Sequence, residues 1–416
     1  MVSMEKALDS WVAVLRERVN LPLQVRWHTG PSPEVPADAP TWRLGHFDHP
    51  AVDVVVRDGA ALPALLSPTL DGLGAAYVEG RIDVHGRIDD ILAVAHGMAR
   101  AASGGGALAR LVQTFTHNRR SDQQAIQYHY DVSNAFYQEW LDPAMVYSCA
   151  YFEHGDETLA EAQREKIDHI LTKVQLRPGQ RLLDIGCGWG ALVMRAAQRF
   201  GARCVGITLS QNQYELANER VRAAGLQDQV EIRLQDYRDV TGPFDRITSV
   251  GMFEHVGLKH LTDYFRIIHD LLAPDGWCLN HGITSTDPHD GETRHGGGRF
   301  IDQYVFPQGE LPHIATVLKT MQQGGLEAID IESLRRHYAL TLRQWSERFE
   351  ARTEALKALV SEKTWRIWRV YLAGSAWAFE HDEISLFQVL CHRAGRPAEV
   401  LPWSRRWMYA GTPGSG

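Results

Sequence analysis

The stretch RLLDIGCGWGAL, Arg181 to Leu192, decides the fold. A short apolar run ends in Asp184, glycines follow at 186, 188 and 190, and an apolar helical pattern resumes. Glycine reaches backbone conformations closed to other residues and lets a ligand approach the main chain. The stretch therefore reads as a strand, a glycine loop and a helix, with something polar received at the strand end.

From about Leu159 the same alternation continues. RLLDIG, RCVGIT and FDRITSVGM are each followed by a helical pattern, VEIRLQD by a turn, and GWCLNHGI by a loop. Short buried strands alternating with helices predict an α/β fold with a doubly wound, mostly parallel sheet. The segment Leu334 to Arg393 is predicted to be mostly helical. Residues 1–102 predict a separate small α+β domain. An amphipathic pattern runs from Met4 to Val19, and TGPSPEVPADAP interrupts it. VDVVVRDG then reads as a strand, and GLGAAYVEGRIDVHGRIDDIL as helix, strand, helix. ASGGGA (Ala102 to Ala107) reads as a linker. With the apolar, basic LARLVQTFTHNRRS it makes residues 103–120 a linker and basic helix. Residues 121–416 form the larger domain.

The chain has 416 residues, 44% of them hydrophobic and 23% charged, with no apolar run of the ~20 residues that span a bilayer. MVSMEKALDS carries charge where a signal peptide would be apolar. The five cysteines, Cys149, Cys187, Cys204, Cys278 and Cys391, include no CxxC pair, so a reduced, cytoplasmic protein without a disulfide framework or zinc site is expected. A net charge of -8 argues against non-specific nucleic-acid binding, though a local basic patch at Arg110, Arg119 and Arg120 could still face an anionic membrane. A homodimer is left open.

Three ligands fit the spacing of the glycine loop. A P-loop requires GK[ST], which is missing. A nicotinamide fingerprint is formally met by Gly186, Gly188 and Ala191, but the second strand ends GITLSQNQ, with no carboxylate before Glu215 to hold a ribose. S-adenosylmethionine fits better: Asp184 accepts hydrogen bonds, the glycines admit the ligand, and Asp236 of LQDY offers an acceptor to the adenine edge. LDIGCGWG resembles the first motif of class I methyltransferases. The cofactor set is then Tyr147, Ser148, Asp184, Gly186, Gly188, Gly190, Thr208, Ser210, Gln213, Asp236 and Tyr237. Thr208 stands where many class I methyltransferases have an acidic residue, so Thr208, Ser210 and Gln213 must bind neutrally.

HYDVSNAFYQEWLDPAMVYSCAYF (His129 to Phe152), LQDYRD, SVGMFEHVG, YVFPQGELP and LRRHYALTLRQW together resemble the cyclopropane-fatty-acyl-phospholipid synthases and their mycolic-acid relatives, over about residues 50 to 400. The N-terminal part is similar to the small lipid-binding domain of the phospholipid-acting enzymes. The resemblance implies attack of a cis double bond of a membrane phospholipid on the methyl group of S-adenosylmethionine, then proton loss to a bound bicarbonate and ring closure. It also implies peripheral association with the inner membrane face. Carried over by motif, the bicarbonate cage is Cys149, Glu254, His281, the Ile283 backbone and Tyr338, with Glu254, His281, Tyr338 and Cys149 as the catalytic set. The residue types suit an ion that both accepts and donates hydrogen bonds. Tyr147, Tyr151, Phe152 and Tyr304 are candidates for cation–π stabilisation. DPHDGETRHGGGRF has no metal-site spacing and reads as a mobile loop over the site.

One departure stands out. Ser375, in LAGSAWAF, replaces the cysteine usual in the family. The alkene is itself the nucleophile, so no covalent enzyme intermediate is needed and Ser375 reads as packing, with the fate of the cation left open. A related acyl methyltransferase giving a methylene or methyl-branched product is the main alternative. A lipid-binding protein with a degenerate enzyme domain and an amine methyltransferase are the others.

Overall fold

The computed structural model describes residues 9, 11–13, 20–103, 132–289, 298–305, 310–397 and 402–409. The chain divides into two units. Residues 104–120 of the expected linker and basic stretch, and residues 290–297 of the expected loop, lie outside the described residues.

The first unit comprises Met1–Asp131, Thr293–Pro307 and Val360–Trp377. Its four-stranded sheet is built from β1 (Leu23–Trp27), β2 (Thr41–Arg43), β3 (Val52–Val56) and β4 (Ile82–Gly86), in the order β2-β1-β3-β4. The β1–β3 pair is parallel and the other pairs are antiparallel. The helix–strand–helix expected after residue 70 is present as Leu70–Val78, β4 and Ile88–Ser103, the first helix capped by Thr69 accepting from the Gly72 N–H at 3.0 Å. Two segments read from sequence as part of the larger domain belong here instead. Arg366 donates to the carbonyls of Tyr77 and Ile82 at 2.9 and 3.1 Å and to Asp83 at 2.6 Å. The Phe300 N–H donates to Asp71 at 2.8 Å, and the Tyr304 hydroxyl to Glu79 at 3.0 Å. Contacts separated by more than 200 residues leave no local pattern to read.

The second unit comprises Val132–Glu292, Gln308–Leu359 and Ala378–Gly416. Its strands are β5 (Arg181–Ile185), β6 (Arg203–Thr208), β7 (Val230–Leu234), β8 (Phe244–Val250), β9 (Leu272–Ser285), β10 (Leu326–Ser333) and β11 (Ile384–Arg393). They form one sheet in the order β10-β11-β9-β8-β5-β6-β7. The five strands β5 to β9 run parallel, and β11 is antiparallel to both neighbours. Apolar cores cover both faces. One is built on Ile170, Leu182, Val193 and Leu279, the other on Leu183, Ile247, Phe265 and Cys278. All five cysteines are buried. The strand order reverses between β5 and β8, and ligands of open α/β sheets bind at the carboxyl ends of strands at such a point.

Two local expectations differ from the structure. Helical reading of Leu334 to Arg393 holds for Arg335–Ala351, Thr353–Leu359 and Glu362–Glu380 but not for β11. This strand lies between β9 and β10 and is covered on both faces, so it lacks the alternation that marks a half-buried strand. After β8, two 3-10 turns, Phe253–His255 and Leu258–His260, precede the helix Leu261–Leu271. No described helix is long and apolar enough to cross a membrane.

Candidate active site

The loop after β5 is made by its glycines. Gly186, Gly188 and Gly190 have φ of 80°, 55° and 84°, a left-handed region that costs an ordinary residue roughly 1–2 kcal/mol. The Gly186 and Cys187 N–H groups both donate to the Ile207 carbonyl at 3.0 and 2.9 Å, tying the loop to β6. Gly206 of β6 makes room for it, because a Cβ there would fall 2.9 Å from both Cβ and Sγ of Cys187. Asp184, 3% exposed, accepts from the Thr248 hydroxyl of β8 at 2.7 Å. Burial pushes its carboxyl up to about 6 against the pull of that bond and of Lys166.

At the neighbouring strand end, β8 and β9 place the turn that carries Glu254 beside the backbone of His281 and Ile283. The Gly251 N–H donates to the His281 carbonyl at 2.8 Å, and Glu254 Oε1 accepts the Ile283 N–H at 2.7 Å. The Phe253 ring lies over Gly282, where a Cβ would fall 1.6 Å from Cε1, so the turn carrying Glu254 seats only on a glycine. Glu254 Oε2 and His281 Nε2 are buried and have no hydrogen-bond partner among the described residues. Burial pushes the Glu254 carboxyl up to about 7 and holds the His281 imidazolium well below its ordinary range, with Lys166 and Lys173 adding to the second effect. Buried polar atoms are rarely left unpaired, and here an acceptor and a ring nitrogen are unpaired at one strand end.

Cys149 and Tyr338 meet at a shared carbonyl. The Tyr338 N–H donates to Leu334 O at 3.0 Å, and Cys149 Sγ lies 3.9 Å from the same oxygen. The Ala150 N–H donates to Thr341 at 3.0 Å, fixing the segment 149–150 against the helix Arg335–Ala351. Leu334 N–H in turn donates to Leu386 O at 2.9 Å, and Leu386 pairs with Ile283 across β11 and β9. Backbone hydrogen bonds through Leu334, just after β10, thus connect the segment carrying Tyr338 to β11, which pairs with β9 at Ile283. The Cys149 thiol is raised far from ionisation by burial.

The remaining cofactor candidates occupy strand ends and a facing loop. Thr208 closes β6, its hydroxyl 2.8 Å from Gln213 Oε1, while Ser210 caps the next helix on the Gln213 N–H at 3.4 Å. Asp236 follows β7 and is held below the usual carboxylate range by bonds from Arg238 at 2.7 and 2.9 Å. Tyr237 packs edge-on against Tyr264. Tyr147 lies among Tyr137, Trp140 and Trp345. Of the cation–π candidates, Tyr151 is stacked between His169 and His337, Phe152 stacks on His337, and Tyr304 belongs to the first unit. Ser375, half-buried, also lies in the first unit.

Sequence reading missed the inner face of the helix Leu159–Lys173. The Thr158–Glu161 capping box starts this helix, and Gln163, Lys166, Ile170 and Lys173 fall on one stripe. Lys166 donates to the Ser148 hydroxyl at 2.7 Å, and burial pulls it down to about 8. Lys173, fully buried, donates to Glu332 at 2.5 Å and to Gln388 at 3.1 Å. Lysines default to solvent, so only the apolar residues of this helix announced its core face.

The sheet order, the glycine loop at the switch point and the polar strand ends define a class I methyltransferase fold. The sequence model of the family described as mycolic acid cyclopropane synthetase matches residues 117–389, and the chain belongs to that family. It is 44% identical over 374 residues to a probable fatty acid methyltransferase of Pseudomonas putida, covering 88% of this chain and 95% of that one. It is 40% identical over 290 residues to the tuberculostearic acid methyltransferase UfaA1 of Mycobacterium tuberculosis, covering 68% and 67% respectively. Among solved structures it resembles the mycolic acid cyclopropane synthase CmaA1 complexed with SAH and CTAB, at a TM-score of 0.61 and 38% identity, covering 65% of this chain and 97% of that one.

Proposed function

We propose that this protein transfers a methylene unit from S-adenosylmethionine to cis double bonds of unsaturated acyl chains in membrane phospholipids, forming cyclopropane rings with a bound bicarbonate as base. The observation that carries the reading is the pair of unpartnered buried atoms, Glu254 Oε2 and His281 Nε2. An acceptor and a donor at one strand end fit a small ion that itself both donates and accepts. Bicarbonate, when bound, supplies a base beside the reacting carbon; S-adenosylmethionine supplies an electrophilic methyl group.

The chain's own residues then have separate tasks. Glu254 Oε1 is committed to the Ile283 N–H, which leaves Oε2 to accept an O–H and to take up or relay the abstracted proton. His281 Nε2 and the Tyr338 hydroxyl donate to the bound anion, and Cys149 closes the cage. Fixed polar groups in a site closed to water stabilise developing charge without reorganising. Around the cofactor, the three left-handed glycines leave the backbone bare, and Lys166 occupies Ser148 as an acceptor so that the serine O–H remains a donor.

A second reading, methyl transfer ending in a methylene or methyl-branched chain, is favoured by two relatives whose names state methyl transfer to a fatty acid rather than ring formation. Lipid analysis of a host expressing the protein tests both readings against unrelated methyl acceptors. Phospholipid acyl chains should gain one CH2 unit; chains left unaltered while another lipid or an amine is methylated would refute the proposal.

A further inference from the structure

Glu332 of β10, Gln388 of β11 and His281 of β9 are direct cross-strand partners, so their side chains form one row across three strands. Lys173 enters this row from the helix below, and its ammonium donates to Glu332 Oε2 at 2.5 Å and to Gln388 Oε1 at 3.1 Å. Glu332 also faces His169 Nε2 at 2.9 Å. Gln388 and His281 are themselves buried, with 0% and 1% exposure, and Gln388 Nε2 lies 3.2 Å from His281 Nδ1.

This row leaves little freedom in where the protons are. An ammonium has donors and no acceptor, so the part of the Gln388 amide facing it is the oxygen. The amide NH2 must then face His281. A flipped amide would set donor against donor at Lys173, and amide orientation is assigned from such networks. Facing an N–H donor, His281 Nδ1 has to be the lone-pair nitrogen, and the ring proton of the neutral imidazole is left to Nε2. Nε2 is the nitrogen with no partner among the described residues.

We propose that Lys173 and Gln388 are positioning residues that hold His281 as the Nε2–H tautomer, presenting its single N–H as a donor to the group bound beside Glu254. This rests on the proposed function for its purpose, though not for its geometry. The relay starts from the ionised Glu332, which anchors Lys173. Lys173 orients the amide, and the amide selects the tautomer. Without it a neutral His281 could turn an acceptor toward the cage, where an anion would be repelled.

The test is nitrogen-15 NMR of the full-length protein labelled in its histidine rings, with the His281 signals identified by their loss in His281→Asn. The wild type should show Nε2 protonated and Nδ1 unprotonated, and a protonated Nδ1 would overturn the proposal. Gln388→Glu replaces the donor with a carboxylate and should move a proton onto Nδ1. Gln388→Leu removes the donor without adding charge and should populate both tautomers. In each variant turnover should fall roughly 10–100-fold, as outer partners of a site typically command, with the dissociation constant for S-adenosylmethionine unchanged. An unaltered tautomer or full turnover in either folded variant would refute the positioning role. The wild-type spectrum decides the tautomer even if neither variant folds. The expected spectra from a protein that alkylates no phospholipid would refute the proposed function and leave the tautomer assignment standing.

Discussion

Glu254 spends one carboxylate oxygen on the backbone N–H of Ile283, at 2.7 Å, and buries the other with no partner among the described residues. The first bond fixes the carboxylate and the second oxygen makes it costly. Its pH signature follows from linkage. With the folded group pushed up to about 7 from an ordinary 4.5, the folded state binds more protons than the unfolded chain between those values. The contribution is therefore fully present below about 4.5 and is lost as pH rises to about 7, a cost of about 3 kcal/mol. Glu254→Gln should melt above the wild type at pH 8, melt with it at pH 4, and form almost no product. Calorimetric scans at the two pH values check this, and an equal shift at both would contradict it.

Gly282 and Gly206 should separate catalysis from cofactor binding. Gly282→Ala forces the Phe253 ring aside and with it the Glu254 turn, costing about 1–3 kcal/mol as overpacking does. Turnover should fall steeply while cofactor affinity stays near wild type. Gly206→Ala presses on Cys187 inside the glycine loop and should weaken S-adenosylmethionine binding first. Titration calorimetry with the cofactor, beside initial rates, would show a single common pattern if the two glycines served one undivided purpose.

Ser375 should tolerate change. It lies half-buried within the helix Glu362–Glu380, and the proposed chemistry asks nothing of a hydroxyl or thiol there. Ser375→Ala and Ser375→Cys should keep most of the turnover. A loss beyond ~100-fold, about 2.7 kcal/mol of barrier, in a folded Ser375→Ala protein would give this helix a part in the reaction.

The proposed phospholipid substrate requires contact with a membrane, and that contact should be electrostatic in part. Arg110, Arg119 and Arg120 lie within an apolar and basic stretch, and attraction of such a stretch to anionic lipid weakens as salt shortens the Debye length. Sedimentation with anionic vesicles should decline between low and high salt and should drop further in an Arg119→Glu, Arg120→Glu double variant. Binding indifferent to both would remove this stretch as the membrane contact.

Much of the second unit could be read from its sequence because β5 to β9 are local events. Four of them are short, β9 carries the apolar GWCLNHGI within its length, and RLLDIGCGWGAL marks the switch point directly. β11 escaped because both its faces are covered, and β10 because nothing in LEAIDIES distinguishes it from a helical run. At the proposed site, Glu254, His281, Cys149 and Tyr338 were named through motif resemblance. Lys166, Lys173 and Gln388 were not, because a lysine on an amphipathic helix is ordinarily solvated. Only the sheet register brings Gln388 opposite His281. The assignment of Thr293–Pro307 and Val360–Trp377 to the first unit rests on pairings such as Arg366 with Asp83, which no local window contains.

The proposed product is a ring closed by the transferred carbon, and mass cannot decide it, because ring, methylene and branched alkene share one formula. In the proposed mechanism a base held by Glu254 and His281 beside the transferred methyl group would take a methyl proton, giving the ring or an exocyclic methylene; a base displaced along the chain would take a chain proton and leave a branched alkene. Proton NMR of phospholipid acyl chains treated with the purified protein and S-adenosylmethionine distinguishes these products directly. Strongly upfield cyclopropyl signals with no new olefinic ones are the predicted result. New olefinic methyl or methylene signals, with no cyclopropyl ones, would contradict it.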